Sequence, residues 1–99
     1  MAKTYDWSVW EKFGWDNNSH TIPKVRAEQV QIMRVVLTKI VLGHLQRTGG
    51  VEGAKKKRAL KRFRQNVHNG APVIRLVQDG MRLGVPYESM SAVATLLIS

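Results

Sequence analysis

Apolar residues recurring at helical spacing, cut at intervals by glycine and proline, constrain this chain more than any other feature. Val30, Met33, Leu37, Ile40 and Val41 fall mostly at three- and four-residue steps, Pro23 can occupy a first turn behind Thr21, and Gly49-Gly50 stops the run. That pattern predicts a helix over 24–47. Leu60, Phe63 and Val67 repeat the spacing before Asn69-Gly70, which predicts a second helix over 52–68. Pro72 and Gly84 bracket a third over 72–83, and Pro86 opens a fourth over 87–98. No stretch alternates apolar and polar residues over a strand length. Val35-Val36 and Ile40-Val41 favour β structure but lie inside a helical pattern much longer than a strand. The expectation is an all-α fold, a compact bundle of about four helices with an aromatic N-terminal arm over 1–22. A chain of 99 residues, 43% of them hydrophobic, can bury one modest core, so 1–99 reads as a single helical domain.

Charge is the second constraint. Sixteen Lys and Arg against seven Asp and Glu give a net charge of +9, an excess that repels itself and implies an anionic partner. The excess is not spread evenly. Residues 1–23 carry Lys3 and Lys12 against Asp6, Glu11 and Asp16, and residues 71–99 are balanced. The stretch 49–70 holds seven cations against Glu52 alone. Within it, 55–64 reads Lys-Lys-Lys-Arg-Ala-Leu-Lys-Arg-Phe-Arg. On a helix, Leu60, Phe63 and Val67 form a narrow apolar stripe, while Lys55, Arg58, Lys61 and Arg62 fall on the other side. Such a rod can dock on a core and still present several cations to regularly spaced phosphates, releasing condensed counterions. The expected nucleic-acid contacts are Lys55, Lys56, Lys57, Arg58, Lys61, Arg62 and Arg64, the arginines adding bidentate phosphate recognition. A solvated helix face is the bland alternative, disfavoured because one acidic residue cannot compensate seven cations. A basic amphipathic helix on an anionic membrane is a third reading, ranked lower because the stripe is narrow and lacks Trp.

Residues 76–95 resemble a helix-turn-helix DNA-binding unit. Gly80 stands at that family's small-residue position, Gly84 at its turn glycine, and Val85, Met90 and Val93 at the apolar positions that pack its two helices. The resemblance implies a recognition helix offering Tyr87, Ser89 and Ser91 to base edges. An ordinary helical hairpin that closes the core or forms a dimer interface is the other reading of the same residues.

Tyr5, Trp7, Trp10, Phe13 and Trp15 concentrate most aromatic area in the first fifteen residues. Core packing is the favoured role for this cluster, and anchoring a partner protein through Trp7, Trp10 and Trp15 or stacking on bases are the alternatives. The arm's acidic balance speaks against phosphate contact.

Other chemistry is thin. There is no cysteine, and His20, His44 and His68 lack neighbours at ligand spacing, so neither a metal nor another cofactor is expected. No nucleophile motif, P-loop or dinucleotide fingerprint is present, and no enzymatic activity is expected. Gly49-Gly50 followed by Gly53 is at most a weak phosphate cradle. The first residues lack the pattern of a secretory signal and no apolar run is long enough to span a membrane, so a cytoplasmic location without membrane partnership is expected. The chain therefore reads as a small nucleic-acid-binding protein, a regulator of transcription or replication, with DNA favoured over RNA and a homodimer expected. The alternative is a viral or mobile-element interaction protein that binds and modulates a larger nucleic-acid enzyme through its aromatic arm.

Overall fold

The computed structural model describes residues 5, 7–13, 27–49 and 53–98. All regular structure among them is helical: α1 (Ser8–Glu11), α2 (Ala27–Arg47), α3 (Ala54–His68), α4 (Val73–Arg82) and α5 (Tyr87–Ile98). The fifth element, beyond the four expected, is α1. A four-residue helix leaves no periodic apolar pattern, and it is far below the length at which a helix stands without tertiary support. The other four follow the glycine and proline boundaries. Residues 24–26 and 52 of the expected helices lie outside the described residues. The expected 72–83 contracts by one residue at each end, because Pro72 and Leu83 occupy the cap positions of α4.

One buried cluster joins the elements. α2 contributes Met33, Leu37, Val41 and Leu45, one residue per turn along a single line, and α3 contributes Phe63. α4 is the most deeply set helix, with Val73, Ile74, Leu76, Val77, Asp79 and Gly80 all buried. Leu83 and Val85 of the α4–α5 turn, Tyr87, Met90 and Ala94 of α5, and Trp10 and Phe13 of the arm complete the core. Gly80 sits where α2, α4 and α5 converge: a Cβ there would stand 3.1 Å from Val41 Cγ2 and 3.2 Å from Met90 Sδ. The close approach of three helices, not chain flexibility, calls for glycine at this point.

The turn between α4 and α5 is set by Gly84. Val85 N–H donates to Gly80 O at 3.0 Å and Gly84 N–H to Met81 O at 3.0 Å, the paired bonds of a Schellman ending, with Gly84 at φ 90°. An added Cβ at Gly84 meets nothing closer than His44 Nε2 at 3.8 Å, so the backbone angle rather than space resists substitution. Gly84→Ala should cost about 1–2 kcal/mol of folding free energy, read as a lower urea midpoint at unchanged m-value.

α3 is docked by polar as well as apolar contacts. Asn66 Nδ2 donates to Asp79 Oδ2 at 2.5 Å, and Asp79, 2% exposed, also accepts from Arg82 Nη1 at 3.4 Å. From α2, Arg34 donates to the carbonyls of Val67, at 3.1 Å, and Ala71. It thereby ties α2 to the last turn of α3 and to the linker that leads into α4. Burial pushes the Arg34 guanidinium pKa below its ordinary value. No helix among the described residues is long and apolar enough to cross a membrane.

Candidate nucleic-acid interface

α3 lies at the margin of the bundle, packed chiefly on α4. Its docking line is Phe63, flanked by half-buried Ala59, Leu60, Asn66 and Val67. All seven cations expected from sequence, Lys55, Lys56, Lys57, Arg58, Lys61, Arg62 and Arg64, are exposed. None of them forms an ion pair or a side-chain hydrogen bond with another described residue. With about 100° between successive residues, Lys56 falls close to the line of Phe63 near the amino end of the helix, and the other six spread over both flanks and the crest.

The two flanks differ. On one, Lys57, Lys61, Arg64 and His68 surround Leu60 in an open furrow of about 580 Å³. On the other, Lys55, Arg58 and Arg62 meet Arg82 of α4 across Ala59, in a furrow of about 270 Å³. Sequence reasoning missed Arg82. The available signal was the spacing of Arg75, Gln78 and Arg82, one polar line on a mostly apolar segment, and all three are exposed. Arg34, by contrast, is spent on the α3 carboxyl end and does not join the cationic surface.

The amino end of α3 is electrostatically unfavourable for the isolated protein. Gly53 supplies no side-chain cap, the first turn contains no acidic residue, and Lys55, Lys56 and Lys57 crowd the positive end of the helix dipole. Like charges at three- and four-residue spacing, Lys55 with Arg58, Lys57 with Lys61, Arg58 with Arg62 and Lys61 with Arg64, add repulsion. Screening relieves these terms. Raising NaCl from about 0.05 M, where the Debye length is well above 10 Å, to about 0.5 M should raise the thermal midpoint by several degrees. An unchanged midpoint in scanning calorimetry would mean that the repulsion is already compensated.

The residues expected to read bases do not form such a site. Tyr87 is 6% exposed, and its hydroxyl accepts from Trp10 Nε1 at 2.9 Å. Its ring lies 4.5 Å from that of Tyr5 and 4.9 Å from that of Trp7. The aromatic arm covers the first turn of α5, the end from which a recognition helix would contact bases, so Tyr87 is corrected from base reader to core residue. Ser89 is exposed, and the half-buried Ser91 donates to Glu88 O at 3.4 Å. The same contacts agree with core packing for the described part of the arm and correct the anchor alternative at Trp10. Trp10 is fully buried and cannot anchor a partner, and half-buried Trp7 is packed against Tyr87. Trp15 lies outside the described residues, as do residues 50–52 of the glycine loop ahead of α3.

Known protein families, characterised proteins and solved structures offer no match to this chain.

Proposed function

We propose that this protein binds the phosphate backbone of a nucleic acid through α3, aided by Arg82 and Arg75 of α4, and acts as a small regulator of transcription or replication. The observation that carries the reading is the state of the seven α3 cations: every one is exposed and none is paired among the described residues. A protein that tolerates this repulsion at the positive end of a helix gains from it when an anion arrives, because phosphate removes the repulsion and accepts hydrogen bonds together. Binding should appear in a mobility-shift titration of the purified chain on duplex DNA. Log affinity should fall against log salt with a slope of about −4 to −6, from roughly 0.9 per phosphate contact. A slope near zero would reduce α3 to a solvated surface. The alternative function, modulation of a larger enzyme through the aromatic arm, cannot use Trp10, which is enclosed.

Self-association of two copies through α2 belongs to the same reading. Ile32 and Val35 are 47% and 54% exposed, on one strip of α2 with Glu28 and Lys39. In an antiparallel pairing about the point between Met33 and Arg34, Glu28 of one copy faces Lys39 of the other, and Ile32 faces Val35. A twofold interface must be self-complementary in this way. Sedimentation at about 100 μM should give twice the chain mass and Val35→Glu should return it to one; a single-chain mass for the parent removes the dimer without touching α3.

A further inference from the structure

We infer that α3 inserts into the major groove of duplex DNA, its two cationic flanks each meeting one phosphate row and its crest residues Arg58, Lys61 and Gln65 meeting base edges. This rests on the reading of α3 as a nucleic-acid-binding element and names the substrate class and the readout.

Relative to Phe63, the buried centre of the docking face, Gln65, Lys61 and Arg58 leave the helix about 140–160° away, along the line where the two flanks meet. Lys61 and Gln65 border the furrow around Leu60, and Arg58 borders the one shared with Arg82. Arg64 and Lys57 lie about 100–120° to one side, and Lys55 and Arg62 about 80–100° to the other. Each side opens onto a cationic furrow, one around Leu60 and one shared with Arg82. The result is a ridge with cations on both slopes.

A convex ridge fits a concave partner. An α-helix with side chains is about 10–12 Å across, and the B-form major groove is about 12 Å wide and 8.5 Å deep, with a phosphate row on each lip. The A-form major groove of duplex RNA is too narrow to admit a helix. A single strand is held by exposed aromatic platforms, and the sole aromatic of α3, Phe63, is buried. Duplex DNA is the nucleic acid that uses both slopes at once.

The crest carries the chemistry for bases. Arginine and lysine donate to guanine O6 and N7, and glutamine pairs with adenine N6 and N7. Arg58 and Gln65 are seven residues apart, about 10.5 Å along the axis, which spans roughly three base pairs at about 3.4 Å each. α3 contains no Asp or Glu to accept from cytosine. The expected target is a short core with guanine opposite Arg58 and Lys61 and adenine opposite Gln65.

The test is selection from a duplex DNA pool with a randomised centre, using the parent chain and Gln65→Ala. The parent should enrich a core of about three to four base pairs containing guanine and adenine. Gln65→Ala, with its helical fold verified by circular dichroism, should lose about 5- to 100-fold discrimination at the adenine position while keeping the same salt slope on mixed-sequence duplex. If the parent enriches no core, or Gln65→Ala keeps full discrimination, base reading by α3 is overturned while a slope of −4 to −6 leaves backbone binding standing. Equal affinity for duplex RNA or a single strand at the same salt overturns the groove assignment. Absence of salt-dependent binding to any nucleic acid removes the underlying reading and this inference with it.

Discussion

Replacing Lys55, Lys57, Arg62 and Arg64 together by Gln is expected to lower affinity for mixed-sequence duplex DNA by about three orders of magnitude at 0.1 M salt. The estimate follows from counterion release. Four lost phosphate contacts flatten the salt slope by three to four units, and one decade of dilution from 1 M converts that into roughly the same number of decades of affinity. The four positions are exposed and lie two on each flank of α3. Gln keeps a long side chain and good helix propensity, so the docking of Phe63 should be untouched. Stability should move the other way. Removing four unpaired cations relieves repulsion along α3, and the variant should melt higher than the parent at low salt. Weaker binding with higher stability cannot arise from a damaged fold, so the pair of measurements separates a functional surface from structural harm. Parent-like affinity and slope would end the assignment of α3 as a phosphate-binding helix.

How far the sequence discloses this protein depends on whether the deciding contact is local. The helices are legible because their limits are written in Gly49, Asn69-Gly70, Pro72, Gly84 and Pro86, residues whose backbone preferences act on their immediate neighbours. The inward line of α2 is less legible. Val30 and Ile40 repeat at helical spacing but are only half-buried, while Leu45 completes the buried line. The helix is apolar nearly all round, so periodicity alone does not select a face. Tyr87 is misread for a different reason. Its neighbour Trp10 is 77 positions away, and nothing near Tyr87 announces that an aromatic arm covers it. Arg82 is missed because it joins the cationic surface across the α3–α4 packing, whereas Lys55 to Arg64 are found because their density is visible in a ten-residue window. Charge clustering is local information and burial is not.

Trp10→Ala is expected to cost about 3–5 kcal/mol of folding free energy, the range for emptying a large aromatic site in a core. Trp10 is fully buried, 6.1 Å from the Phe13 ring and 6.3 Å from the Tyr87 ring, and its Nε1 donates to Tyr87 Oη at 2.9 Å. It is the one buried residue of α1, a helix too short to stand without that contact. The loss therefore spreads, because detaching α1 uncovers the first turn of α5 where the rings of Tyr5 and Trp7 pack at a tilt against Tyr87. Against a total stability of about 5–15 kcal/mol for a domain, the variant should stand near its unfolding transition at room temperature. Trp10→Phe keeps most of the apolar area and loses the N–H donor, so its cost should be smaller, near 1–2 kcal/mol. Urea unfolding of the three proteins gives both numbers. Nucleic-acid affinity per folded molecule should stay unchanged in Trp10→Phe, because none of the α3 cations is hydrogen-bonded or ion-paired to a described residue of the arm. A cost below about 1 kcal/mol for Trp10→Ala would detach the arm from the core and return Trp10 to the role of an exposed anchor for a partner.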